Sequence, residues 1–291
     1  METIVLMPVK NEDWVLNFTL DTISKFSKKI IIADNNSSDS SIEISKKYNA
    51  DIIQNNSKFH NNIVRSQLLS YSREKYGSNN LIMFIDADEF ISPVEFYKNL
   101  NFIKSFKKGT IFYSPWIQMW KSTKYYRADK SVWNPKNNFK PFMFLDSDDL
   151  SFEDKIVIND HTSRVPTNSN SKYVKLDFPL IHLQFANWQR SQIKQVWYEC
   201  NELIFGINPE DINNKYKNSI LDEKVKKKSI RKRWLKNLDL TKIKIDEELV
   251  NNWYYQEVKI FFQEYGVDFF KDLNIWDLKV VQELLKKEFK N

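Results

Sequence analysis

LIMFIDADEF, residues 81–90, decides the fold. Its first five residues, Leu81–Ile85, are an apolar run of strand length with no alternation to suggest a solvent face. Such a run predicts a strand buried on both sides of a sheet. It leads directly into Asp86, Ala87, Asp88 and Glu89, so carboxylates stand where the chain leaves the sheet. Carboxylates at the end of a buried strand are costly unless something compensates them. A divalent cation bridging a diphosphate is a natural compensation, and the small Ala87 leaves room for a ligand to approach.

Upstream, the same kind of run recurs. Thr3–Met7 (TIVLM) reads as a buried strand ended by Pro8, Lys29–Ala33 (KIIIA) as a second, and Ala50–Gln54 as a third. Between them, Asp13–Phe26 carries Trp14, Val15, Phe18, Ile23 and Phe26 at helical spacing. Ser41–Tyr48 and Ile63–Tyr76 read as further helices. Four strands alternate with three helices, which predicts an α/β fold with a mostly parallel central sheet. Right-handed crossovers would align the carboxyl ends of the strands along one edge, where ligands bind in open α/β sheets.

Downstream, Thr110–Ser114 is a strand candidate, followed by an aromatic and polar stretch from Trp116 to Phe144 and an acidic run from Asp146 to Asp154. SRVPTNSNSK (163–172) is turn-rich, and Val174–Leu183 reads as extended. From Trp188 onward the apolar spacing is helical. The expected division is a ligand-binding α/β region over residues 1–190 and a helical region over 191–291.

Composition narrows the chemistry. The four glycines, Gly77, Gly109, Gly206 and Gly266, are too dispersed for a dinucleotide loop or a Walker loop. A single cysteine, Cys200, excludes an intrachain disulfide and a cysteine-cluster metal site, and its thiol is expected to be inert. With three histidines, His60, His161 and His182, a metal would be held mainly by carboxylates, which favours magnesium or manganese. The net charge of +6 comes with abundant Lys and Asn, a bias of AT-rich codons, so it is weak ground for a nucleic-acid partner. No apolar stretch reaches membrane-spanning length and no leader precedes Thr3, so a cytoplasmic location is expected.

Three segments taken together carry a resemblance. MPVKNE (7–12) closes the first strand, IIIADNNSSDSS (30–41) closes the second, and FIDADEF (84–90) closes the fourth. In this order and spacing they resemble family 2 glycosyltransferases, nucleotide-sugar-dependent enzymes with a GT-A type fold and an Asp-x-Asp metal motif. The resemblance is closest over residues 3–90 and looser over 110–200. It implies a GT-A-like sheet flanked by helices and a nucleotide-sugar donor, with UDP the commonest carrier. It also implies a glycan or lipid-linked glycan acceptor, a divalent cation and inverting transfer, in surface polysaccharide or lipooligosaccharide synthesis.

Carried over residue by residue, Asp34 matches the acid that contacts the nucleoside base. Glu12 and the Pro8–Val9 backbone match the lip of that pocket. Arg65 matches a basic residue near the nucleotide, Asp86 a ribose-side or metal-side carboxylate, and Asp88 the direct metal ligand. Asp39 reads as a helix cap. A histidine from the later half often completes the metal site; His182, after the apolar run of FPLIHLQF, is the candidate and His161 the competitor. An inverting transferase needs a general base, which the family takes from an acid downstream of the metal motif. Asp154 is the choice within DSDDLSFEDK, with Glu153 and Asp160 as alternatives. Among Trp116, Trp120, Tyr125, Tyr126 and Trp133, at least one is expected to stack on the acceptor sugar.

KVKKKSIRKRWLK (224–236) gathers basic residues around Trp234, which suggests peripheral contact with an anionic inner membrane face. Two other functions compete with the transferase. A sugar nucleotidyltransferase would need a glycine-bearing loop after the first strand, and none precedes residue 77. A non-catalytic basic protein binding nucleic acid or membrane would lack a use for the buried carboxylates.

Overall fold

The alternation read from residues 3–84 folds into the parallel half of a sheet. The computed structural model describes residues 1–56, 62–130, 133–152, 163–220, 225–245 and 248–289. In chain order the first elements are β1 (Thr3–Val9), α1 (Asp13–Ser24), β2 (Lys29–Asp34), α2 (Ser41–Lys47), β3 (Asp51–Gln54), α3 (Asn62–Tyr76) and β4 (Leu81–Phe84). There follow β5 (Glu89–Phe90), α4 (Pro93–Lys104), β6 (Thr110–Gln118), β7 (Tyr125–Arg127), β8 (Phe139–Leu145), β9 (Lys172–Lys175) and β10 (Leu180–His182).

The sheet runs β3-β2-β1-β4-β8-β6-β10-β5, with β9 also pairing β6. The strands from β3 to β4 are mutually parallel, in register from Thr3 against Leu81 and from Ile4 against Lys29. β8 runs antiparallel to both β4 and β6, whereas β9 and β10 are parallel to β6. The result is the expected α/β fold with a mostly parallel sheet.

Strand alternation sends successive side chains to opposite faces, and both are covered. Val5, Met7, Ile30, Ile32 and Met83 pack with Leu16, Leu20 and Ile23 of α1 on one face. Ile4, Leu6, Ile31, Ile82 and Phe84 pack with Val64, Leu68 and Leu69 of α3 on the other. This double burial is why these strands read as continuous apolar runs.

Several elements depart from the sequence reading. β6 continues past Ser114 to Gln118, and α4 and β8 have no counterpart in the expectation. The extended stretch 174–183 is two short strands, β9 and β10, separated by a segment holding Pro179.

The chain divides into two compact units. The sheet unit comprises 1–118, 132–182 and 229–244. Its returning segment docks on α1: the Lys244 N–H donates to the Trp14 carbonyl (2.7 Å), and Lys244 Nζ pairs with Asp13 (2.9 Å).

The helical unit comprises 119–131, 183–228 and 245–291. It contains α5 (Trp188–Ile204), α6 (Pro209–Ile220), α7 (Trp253–Tyr265) and α8 (Lys279–Glu288). β7 pairs with β11 (Lys227–Ser229). Ile193, Val196 and Cys200 of α5 meet Tyr254, Tyr255, Val258 and Phe262 of α7 and Val281 and Leu284 of α8. Asn187 caps α5 by accepting from the Arg190 N–H (3.1 Å), and Gly266 ends α7 at φ +79, a conformation that favours glycine. Burial pushes the Cys200 thiol well up, in keeping with an inert side chain.

Candidate functional site

β1 and β2 end side by side, with Val9 opposite Asp34. Beyond β1 the chain turns at Asn11, which sits at φ +51. Its N–H donates to Ser37 Oγ (2.9 Å), and its side-chain oxygen accepts from the Ser38 N–H (2.7 Å). The two loops are thereby tied together. Glu12 starts α1: its carbonyl accepts from Val15 and Leu16, and its carboxylate from Trp14 Nε1 (2.6 Å). Asp39 accepts from the N–H groups of Asp13 (3.0 Å) and Ser41 (2.9 Å), joining the starts of α1 and α2.

Asp34 is 4% exposed. Its Oδ2 accepts from the Ser37 N–H (3.2 Å), while its Oδ1 is buried without a hydrogen-bond partner among the described residues. A buried carboxylate oxygen left over in this way asks for a donor that the described residues do not supply.

Where β4 ends, Asp86 and Glu89 close a tight turn: the Glu89 N–H donates to the Asp86 carbonyl (2.9 Å), and the Asp86 N–H to Glu89 Oε2 (3.1 Å). Thr19 Oγ1 donates to the Ala87 carbonyl (2.6 Å), fixing the turn to α1. Arg164 bridges the two acids, with Nη1 on Glu89 Oε2 (2.5 Å) and Nη2 on Asp86 Oδ2 (2.6 Å). Arg65 approaches the other oxygen of Asp86 (3.5 Å). Lys140 lies over the Trp116 ring (4.6 Å), and Trp116 Nε1 donates to Glu89 Oε1 (2.8 Å).

These charges shape one another. Burial pushes the Asp86 carboxyl up, but the Arg164 and Arg65 guanidiniums outweigh it and hold the group below its usual value. Burial lowers the Arg65 pKa against the pull of Asp86, and lowers that of Lys140 with help from Arg164. Arg164 is pushed up, because Asp86 and Glu89 overcome the effect of its burial. Asp86 is therefore neutralised by the chain's own cations.

Asp88 has a different neighbour. β10 pairs with β5 so that His182 lies opposite Glu89, and with β6 so that His182 lies opposite Gln118. His182 Nε2 stands 3.2 Å from Asp88 Oδ2, its Nδ1 is 2.6 Å from Gln118 Oε1, and its ring stacks on Trp116 (4.8 Å, 17°). A carboxylate and an imidazole nitrogen facing each other are two donors of the type a divalent cation takes. Magnesium and manganese need few protein ligands, since water and phosphate oxygens fill the remaining positions. Among the described residues no group of three or more acids, histidines or cysteines forms a metal cage, so Asp88 and His182 fit only a cation shared with a ligand.

The other sequence candidates fall in several places. Glu153, Asp154, Asp160 and His161 lie outside the described residues. Of the acidic run, Asp146 is fully buried and takes a two-pronged hydrogen bond from Arg73 (2.7 and 3.0 Å), a structural use. Trp116 and Trp120 offer no face to a sugar. The first is packed against His182 and Lys140, and the second is fully buried against Phe185 and Trp188. Of the five aromatics, Tyr125 is the exposed one, at 44%. Trp234 is buried, and its neighbour Arg233 pairs with Glu95 (3.4 Å). Arg164, Lys140 and Gln118 escape the sequence reading. The only hint was an excess of buried carboxylate at 86–89 that required cations from elsewhere.

Asp34 at the end of β2, the Asp86–Glu89 turn after β4 and the facing His182 are the site that the α/β sheet presents. The chain belongs to glycosyl transferase family 2, whose model matches residues 4–156, just over half its length. No curated protein matches it. Among solved structures, S. aureus TarS (residues 1–349) is similar at 15% identity and a TM-score of 0.41, over 67% of this chain and 65% of that one. Glucosyl-3-phosphoglycerate synthase from Mycobacterium tuberculosis, in complex with Mn2+, UDP and glucosyl-3-phosphoglycerate, is similar at 17% identity and a TM-score of 0.30. That match covers 40% of this chain and 44% of the synthase. The chain thus spans less than two thirds of either structure. Among the described residues no helix is long and apolar enough to cross a membrane.

Proposed function

We propose that the protein is a metal-dependent glycosyltransferase. In our reading it moves a sugar, with inversion, from a UDP-sugar to a hydroxyl of a glycan or lipid-linked glycan in surface polysaccharide or lipooligosaccharide synthesis. Membership of the family supports the reaction class. One observation carries the site: Asp88 and His182 face each other at 3.2 Å beside an Asp86 already neutralised by arginine.

The roles follow from the surroundings. Asp34 takes a donor from the nucleoside base on its Oδ1, which has no partner among the described residues, and Pro8, Val9 and Glu12 shape the lip of that pocket. Asp88 and His182 hold manganese or magnesium. Asp86, engaged by Arg164 and Arg65, serves the donor side of the site rather than coordination. A cation held there by Asp88 and His182 would supply positive charge against the negative charge of the diphosphate. Arg65 and Lys140 add positive charge beside it. Asp154 is our choice for the base that takes the acceptor proton, with Glu153 and Asp160 as alternatives. Exposed lysines and arginines of 226–236 supply peripheral contact with an anionic membrane.

Calorimetry of UDP with Mn2+ tests the reading. Wild type is expected to bind UDP with Mn2+ and at least tenfold more weakly without it, and Asp88→Ala to lose the Mn2+ dependence. Equal affinity of wild type and Asp88→Ala, with and without Mn2+, would remove the metal assignment.

A further inference from the structure

Gln118 is fully buried at the end of β6, directly opposite His182 on β10. Two residues earlier on the same face, Trp116 stacks on the imidazole and fixes its plane. Rotation within that plane is fixed by the 2.6 Å contact between Gln118 Oε1 and His182 Nδ1. The other end of the Gln118 amide, its Nε2, has no hydrogen-bond partner among the described residues. Among the described residues, His182 alone therefore holds the amide one way round.

An amide presents an acceptor at one end and donors at the other. With the oxygen toward Nδ1, that nitrogen carries the ring proton and the Nε2 lone pair points at Asp88. Two lone-pair donors 3.2 Å apart are a seat for a cation. With the amide reversed, Nδ1 accepts, and the proton on Nε2 closes onto the Asp88 carboxylate. We propose that Gln118 is the positioning residue that selects between these states. Its carbonyl, turned to Nδ1, makes His182 ready to ligate. In passing to that state the ring releases its Nε2 proton to solvent and takes one from solvent at Nδ1, so its charge is unchanged. This rests on the reading that Asp88 and His182 hold the cation. The partner of a ligating histidine sets both its tautomer and its orientation.

The test combines Mn2+ binding, counted as free Mn2+ by electron paramagnetic resonance in the presence of UDP, with nitrogen-15 NMR of the histidines in diamagnetic Mg2+ and UDP. With three histidines in the chain, His182→Asn identifies the His182 signals, and should that variant fail to fold, His60→Asn and His161→Asn identify the other two and leave His182 by elimination. Wild type in Mg2+ and UDP is expected to show the Nδ1–H tautomer. Gln118→Leu should weaken Mn2+ binding about 10- to 100-fold, the usual effect of losing a ligand's partner. Gln118→Glu, which can only accept, should retain the Nδ1–H tautomer and rescue binding to within about threefold of wild type, a pattern that packing alone does not produce. Mn2+ that binds wild type and Gln118→Leu alike, or an Nε2–H tautomer in the Mg2+ complex, overturns the role of Gln118 alone. Wild type that binds no Mn2+ removes the cation reading beneath it.

Discussion

Asp86 and Asp88 differ by two positions in the chain and by everything that surrounds them. Arg164 ties Asp86 to the fully buried Glu89. Removing one member of a buried ion pair leaves the other charge uncompensated, at a cost of about 3–5 kcal/mol. Arg164→Gln is therefore expected to destabilise the protein by about 3 kcal/mol in urea unfolding, and Arg164→Gln with Glu89→Gln to recover part of the loss. Equal stability of wild type and the single variant would mean that the cluster is not an ion-pair core. Asp34 gives a second prediction. Its Oδ1 is buried without a partner among the described residues, so Asp34→Ala should weaken UDP binding in Mn2+ about tenfold, while pyrophosphate, which has no base, binds as before. Parallel losses for both ligands would place Asp34 elsewhere than the base.

At the scale of elements, α5 carries an unusual group. Both carboxylate oxygens of Glu199 are buried without a hydrogen-bond partner among the described residues. Burial, with Glu202 one turn on, pushes its carboxyl up to about 8. The unfolded chain releases that proton near pH 4.3, a reference value of about that size. Between these values the folded state holds a proton that the unfolded state has lost. The stability from this group is full below the unfolded pKa, declines as pH rises, and is gone above the folded one. The thermal midpoint is expected to fall between pH 5 and pH 9, and Glu199→Gln to flatten that slope. The same slope in both proteins would assign it to other groups.

Elements also mark what the sequence could disclose. β1, β2 and β4 are legible because burial on both faces leaves apolar runs, and His182 at the end of β10 follows from the run before it. β8 is not legible, because FKPFMFL contains Pro141, which argues against a central strand. The structure accommodates it at the irregularity where β6 shifts register between Phe112 and Tyr113, with Tyr113 opposite Pro141. Arg164 is hidden for another reason. It lies in a turn-rich stretch, and the partners that give it meaning are more than 70 residues away. Gln118 gains its use from the cross-strand register alone.

For the molecule as a whole, the formal charge of +6 is unevenly used. In the helical unit Lys226, Lys227 and Lys228 are exposed; in the sheet unit Arg231, Lys232 and Lys236 are exposed. Trp234 is buried and takes no part in an insertion. Any membrane contact through these residues is thus electrostatic, worth about 1 kcal/mol for each basic residue near an anionic surface. Such contact fades as salt shortens the screening length from about 10 Å at 0.1 M to about 3 Å at 1 M. The protein is expected to float with anionic vesicles at low salt, to separate from them at high salt, and to ignore neutral vesicles. Replacing Lys226, Lys227 and Lys228 by Glu should weaken flotation, and so, separately, should replacing Arg231, Lys232 and Lys236, with thermal unfolding unchanged. Since the basic side chains lie outside both cores, the substitutions test attraction and not folding. Equal flotation with neutral and anionic vesicles, or none with either, would return these residues to the role of a solvated surface.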